Sequence, residues 1–190
     1  GPRHDCVSCS PAYSRAMTLS GSSPFDLTGR VALVTGGNSG IGLGMAEGLA
    51  AHGADVAIWG TNSAKSERAI DVLSQYDVEL LSIICDVSDE RAVVQSMADT
   101  ADELGRIDAV FVNAGVSGSS PSFLEMTSED WRRVMSVNLD GAFYTAREAT
   151  KHMVARYEEG DTAGGSIVFT SSGSSEVGAA SGQAYGATKA

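Results

Sequence analysis

Cysteine, proline and positive charge are all scarce in this chain of 190 residues. Its three cysteines, Cys6, Cys9 and Cys85, are too few and odd in number to staple a small secreted fold, so a reducing, cytoplasmic setting is expected. Four prolines exclude a proline-rich linker protein. No apolar run approaches the roughly 18 residues of a membrane span, and no basic stretch is followed by the apolar core of a secretory signal. Thirteen Lys and Arg stand against 24 Asp and Glu, a net charge of −11, which disfavours nucleic acid and anionic membrane as partners.

What remains is a chain with 43% hydrophobic residues and 22 glycines, enough for one domain with a substantial core and too much glycine for a simple helical bundle. Residues 1–24 are rich in Ser, Pro, Gly and Cys and lack hydrophobic periodicity, so they read as a flexible leader or tag, with Met17 an alternative start. Cys6 and Cys9 have the spacing of half a zinc site. Only His4 stands near them, short of the roughly four ligands zinc needs, so an incidental pair is the preferred reading and no metal is expected. Cys85 ends an apolar run and reads as core.

From Arg30 the pattern becomes regular. Short apolar runs at Arg30–Thr35, Val56–Trp59, Leu80–Cys85, Asp108–Val112 and Ser166–Thr170 read as strands. Between them lie helical segments: one from about Ile41, with Met45, Leu49 and Ala50 at helical spacing and Gly53 as its stop, then Ala64–Gln75, Glu90–Leu104, and a long one from Ser128 to about Glu159 that divides near Asn138. A further helix begins near Gln183. Strands alternating with helices predict parallel βαβ units. The expected fold is a doubly wound α/β sheet of three layers, Rossmann-like in organisation, over residues 25–190.

The turn after the first strand reads Thr35-Gly36-Gly37-Asn38-Ser39-Gly40-Ile41-Gly42. Glycines there let the backbone approach a pyrophosphate, and amides at the start of a helix offer it unpaired donors and the positive end of a dipole. The Gly-x-x-x-Gly-x-Gly spacing lacks the Gly-Lys-Ser/Thr of a triphosphate loop, which disfavours ATP or GTP hydrolysis. A glycine turn serving only close packing is the alternative. Eighteen residues past Gly42, where such folds meet the adenosine ribose, stands Gly60 and no carboxylate. Thr61, Asn62 and Lys65 follow and could bind a phosphate, although Ser39 fills the place of a phosphate-binding Arg or Lys. NADP is therefore favoured over NAD, and a carboxylate introduced at position 60 is expected to move the preference toward NAD.

Tyr185 and Lys189 stand four apart at the start of the last predicted helix, on one face. A phenol beside an ammonium can act as acid and base near neutral pH, whereas a plain surface pair is the bland alternative. Thirteen residues before Tyr185 lies Ser172, just beyond the fifth strand, able to donate to a carbonyl oxygen as charge develops on it. Ser171, Ser174 and Ser175 are alternatives by register. No Gly-x-Ser-x-Gly turn makes any of them a hydrolase nucleophile.

Together with Asp86-Val87, Val112-Asn113-Ala114-Gly115 and Val137-Asn138, these motifs resemble the short-chain dehydrogenase/reductase family, in its order, from about Phe25 to the end. Phe25–Ala32 and Ala57–Asn62 look like its gluconate 5-dehydrogenase and 3-oxoacyl-carrier-protein reductase branches. The resemblance implies hydride transfer between NAD(P) and a small alcohol or ketone. Tyr185 would be the general acid or base, Ser172 would polarise the substrate oxygen, Lys189 would hold the nicotinamide ribose, and Asn138 would carry a water-linked proton relay. Gly36, Asn38, Ser39, Gly40, Ile41, Gly42, Gly60, Thr61, Asn62, Asp86, Val87, Asn113, Ala114 and Gly115 would bind cofactor together with Tyr185 and Lys189. Asp86 could instead cap the next helix and Asn113 brace a turn. Family chains form dimers or tetramers and continue through two more strands and a substrate-covering loop. Those strands are missing from the expected pattern, so a noncatalytic dinucleotide-binding or subunit-interaction chain is the competing reading.

Overall fold

The computed structural model describes residues 24–118, 120–177 and 182–190. The expected leader, with Cys6 and Cys9, lies outside the described residues apart from Pro24. The strands are β1 (Val31–Thr35), β2 (Asp55–Gly60), β3 (Leu80–Ile84), β4 (Ala109–Val112) and β5 (Ser166–Phe169). The helices are α1 (Gly40–Ala51), α2 (Ser63–Leu73), α3 (Glu90–Leu104), α4 (Ser128–Met135), α5 (Gly141–Glu158) and α6 (Gln183–Lys189). All strand pairs are parallel and the order is β3-β2-β1-β4-β5, so the sheet is a five-stranded, Rossmann-like one with β3 and β5 at its edges.

Side chains alternate between the two faces of each strand; the central strands β1 and β2 are buried on both, whereas Val168 and Phe169 of the edge strand β5 are exposed. Leu33, Ala57, Trp59, Val110 and Val112 face one core, closed by Val93 and Met97 of α3 and Ala149 of α5. Val34, Val56 and Ile58 face the other, closed by Ala46 and Ala50 of α1 and Ala69 and Leu73 of α2. Trp59 is fully buried, and its indole N–H donates to Thr100 Oγ1 at 3.1 Å, which removes the penalty of burying that polar atom. Helix starts follow the side chains that can cap them: Asn62 accepts from Lys65 N, Asp89 from Arg91 N, and Thr127 from Asp130 N.

Two local expectations are refined. Asp108 is not the first residue of β4; it stands just before the strand and accepts from Val31 N at 2.9 Å, from Arg106 Nη2 at 2.6 Å and from Arg30 Nη1 and Arg156 Nη2 at 3.2 Å each. Burial alone would raise this carboxyl, but the hydrogen bonds from Arg106 and Val31 outweigh it and lower it from 3.8 to about 2. The division expected near Asn138 is a π-helical turn, Ser136–Asp140, that joins α4 to α5 without a loop.

Candidate functional site

The order β3-β2-β1-β4 places the strand-order reversal between β1 and β4, where a crevice opens at the carboxyl ends of the strands. A cleft of about 630 Å³ occupies that position. Gly36, Asn38, Ser39, Ile41, Gly42, Gly60, Thr61, Asp86, Val87, Asn113, Ala114 and Gly115 all line it. Of the residues expected to bind a cofactor, Gly40, Asn62, Tyr185 and Lys189 are not on its wall. Asn62 instead caps α2, its Oδ1 accepting from Lys65 N at 2.9 Å.

The floor of the cleft is built by close backbone approach. Gly36 turns the chain with φ +66, and a Cβ at Gly42 would stand 2.3 Å from Gly36 O and 2.6 Å from Asn113 Nδ2. Ser39 begins α1 in extended conformation with no side-chain cap bond, so its hydroxyl and the first-turn amides of the helix face the cleft without an intrahelical partner. Asn113 braces the wall: Nδ2 donates to Thr35 O at 3.1 Å, and Oδ1 accepts from Thr170 Oγ1 at 3.2 Å. Its turn-bracing role and its place on the cleft are thus both realised. Asp86 does not cap α3, because Asp89 does; its Oδ1 accepts from Ser88 N and Ser88 Oγ at 3.0 and 2.7 Å. Burial pushes the thiol of Cys85, also on the wall, upward, which keeps it protonated at neutral pH.

Beyond Gly115 the wall continues through Val116, Arg133 and Val137, and the residues expected to do chemistry are not on it. Asn138 is buried; its Oδ1 accepts from Val116 N at 2.8 Å, and its Nδ2 donates to Val116 O at 3.0 Å and to Thr188 Oγ1 at 3.1 Å. It therefore ties the π-helical turn to the loop after β4 and to α6. Lys189 Nζ donates to Thr170 O at 2.7 Å and lies 5.8 Å from the centre of the Tyr185 ring. Ser171 Oγ donates to Lys189 O at 2.9 Å, and Ser172 Oγ accepts from Ser174 N at 3.2 Å. Tyr185 lines a neighbouring cleft of about 370 Å³ together with Ser174, Ser175 and Gly186. Cleft residues not assigned to the site from sequence include Val116 and, on α4 and the turn after it, Arg133, whose Nη2 donates to Ser117 O at 3.2 Å, and Val137, named only as part of the Val137-Asn138 motif. The spacing of Arg133 and Val137, one helical turn apart just before Asn138, is the signal that could have found those two.

Comparison with known proteins agrees with this geometry. Residues 30–190 match the family model described as short chain dehydrogenase. The chain is 32% identical over 157 residues to sorbose reductase of Schizosaccharomyces pombe, covering 82% of this chain and 59% of that protein. It is 34% identical over 132 residues to gluconate 5-dehydrogenase of Gluconobacter oxydans, covering 70% and 51%. The solved structure of NAD+-bound xylitol dehydrogenase superposes with a TM-score of 0.80 at 32% identity, covering 86% of this chain and 60% of that one. The chain thus spans between half and two thirds of the length of these relatives.

Proposed function

Because the chain belongs to the short-chain dehydrogenase/reductase family, we propose that the protein carrying it is an NAD(P)-dependent oxidoreductase that interconverts an alcohol and a carbonyl group on a small molecule. The observation that carries this reading is one cleft, at the strand-order reversal, that gathers the glycine turn, the bare end of β2 and the Asn113–Gly115 turn beside Asn138. The residues fit a dinucleotide: with no Cβ at Gly42, α1 starts packed directly on Gly36 and Asn113, and Ser39, Ile41 and Gly42 at its uncapped start line the cleft.

In this proposal Gly36, Ser39, Gly40, Ile41 and Gly42 hold the pyrophosphate through backbone amides. Asn38, Gly60, Thr61 and Asn62 surround the adenosine ribose, Asp86 and Val87 meet the adenine, and Asn113, Ala114 and Gly115 line the adenosine side. NADP is the preferred form, because no carboxylate stands at the end of β2 and Lys65 supplies positive charge beside it. A bound nicotinamide dinucleotide supplies or takes up the hydride.

The chain's own residues handle the proton. Tyr185 gives a proton to the carbonyl oxygen in reduction and takes it back in oxidation. Ser172 accepts from Ser174 N–H, which leaves its own hydrogen to donate to the same oxygen as charge develops. Lys189 uses one of its three N–H groups on Thr170 O, and the others are available to a ribose. Asn138, fixed by Val116 and Thr188, holds the π-helical turn through which a water-linked proton path runs. Relatives named for sorbose, gluconate and xylitol make polyhydroxylated ketones and alcohols the first substrates to try. A cytoplasmic location suits the free Cys85 thiol, and exposed Phe143, Val154 and Tyr157 on α5 suit a homo-oligomer.

The test is Tyr185→Phe in the full-length protein. Turnover should fall by about 10²- to 10⁴-fold while nucleotide affinity is retained. Undiminished turnover refutes the assigned chemistry.

A further inference from the structure

The ribose end of the cleft is shaped by a contact that crosses from the glycine turn to the second strand. Asn38, only 9% exposed, lies beneath Gly60. Its Nδ2 donates to Ser66 Oγ at 3.1 Å and more weakly to Asn62 O at 3.4 Å. A Cβ added at Gly60 would stand 2.2 Å from Asn38 Nδ2, 2.6 Å from Cγ and 3.0 Å from Oδ1. All three are closer than real Cβ atoms can comfortably approach. The carboxamide could yield only by leaving Ser66, whose hydroxyl belongs to a side chain that is itself buried.

Resting on the dinucleotide reading above, we infer that Asn38 is a positioning residue that closes position 60 to any side chain and thereby sets the cleft for an adenosine ribose bearing a 2′-phosphate. A carboxylate at that position would accept from the two ribose hydroxyls of NAD and repel a 2′-phosphate. With position 60 bare, Ser39, Thr61 and Lys65 join Asn38 as polar groups on the wall, and Lys65 brings positive charge. Asp86, the carboxylate on the same wall, has Oδ1 engaged by Ser88. In this proposal Gly60→Asp does not by itself move the preference toward NAD, because the new side chain has no room while Asn38 is in place.

The experiment titrates NADPH and NADH into the full chain and records thermal melts for the wild type, Gly60→Asp, Asn38→Ala and the double variant. Asn38→Ala removes the three atoms that block position 60. The wild type should prefer NADPH. Gly60→Asp alone should melt earlier and bind both nucleotides worse, with no gain for NADH. The double variant should recover melting temperature over Gly60→Asp and move the NADH-to-NADPH affinity ratio toward NADH by about tenfold or more. If Gly60→Asp alone is as stable as the wild type and shifts the ratio as far as the double variant, Asn38 does not close the position and the inference is overturned. A wild type that prefers NADH overturns it as well. A wild type that binds neither nucleotide refutes the dinucleotide reading instead. The closure is then judged on the melts, where lack of rescue by Asn38→Ala overturns it and rescue upholds it.

Discussion

Gly42→Ala and Gly44→Ala are the same substitution two residues apart in α1, and the fold predicts opposite outcomes for them. At Gly44 an added Cβ meets nothing within 4 Å, so the variant should gain the ordinary helix advantage of alanine over glycine, up to about 1 kcal/mol. At Gly42 the same atom would stand 2.3 Å from Gly36 O and 2.9 Å from Gly36 C, which are backbone atoms of the turn and cannot rotate away. Asn113 Nδ2, at 2.6 Å, cannot yield either, because it is anchored on Thr35 O. Relief requires α1 to lift off the turn. At the upper end of overpacking costs this is about 3 kcal/mol, offset by about 1 kcal/mol of helix propensity, for a net loss of about 2 kcal/mol. The two variants should then differ by about 3 kcal/mol, or about 6–12 °C in melting temperature for a chain of this size. Because the lifted turn carries the first-turn amides, Gly42→Ala should also lose nucleotide affinity, by about tenfold or more, while Gly44→Ala keeps it. Urea unfolding and calorimetric titration of both variants check this. Equal stability, or undiminished nucleotide binding by Gly42→Ala, refutes the reasoning.

Other consequences are as direct. The Asp108 carboxyl, at about 2 in the fold against an ordinary 3.8, contributes about 2 kcal/mol that is present above pH about 4 and fades as the pH falls toward 2. The stability gap between wild type and Asp108→Asn, from urea melts, should therefore narrow by that amount between pH 6 and pH 2; a constant gap would show that the arginines do not hold the charge. Asn138→Ala leaves the backbone N–H and C=O of Val116 without their side-chain partner and frees Thr188 from the π-helical turn. It should cost about 1–3 kcal/mol and speed amide exchange at Val116, whereas unchanged exchange would mean the bridge does not form. Trp59→Phe strands Thr100 Oγ1 as an acceptor and leaves space beside α3, and a loss of about 1–3 kcal/mol in a denaturant melt is expected.

The parts legible in the sequence are those in which local pattern and tertiary role coincide. Apolar runs such as Val31–Thr35 had no other use than strands buried on both faces, and the glycine turn was readable because it sits between one such strand and a helix. The division at Asn138 was visible from helical composition running past a residue of low helix preference, but the close packing of Gly141, just after the π-helical turn, under Val87 is a contact that only the fold brings together. Gly60 was legible as the absence of a carboxylate. The close approach of Asn38 to it was not, since Asn38 lies 22 positions away and is held there by Ser66. The same limit hid the Asp108 cluster, where Arg30, Arg106 and Arg156 converge from three separate segments on one carboxylate. Ser172 and Tyr185 were singled out by spacing, and their positions, after β5 and within α6, are set by those elements rather than by either residue.

Titration of the full 190-residue chain with NADPH and NADH, in parallel with Gly42→Ala, tests the central claim most directly. Saturable binding of one nucleotide per chain, tighter for NADPH and weakened in the variant, is the predicted result. A folded chain that binds neither nucleotide, or binds them equally well without the glycine, would contradict the assignment of this cleft as a dinucleotide site.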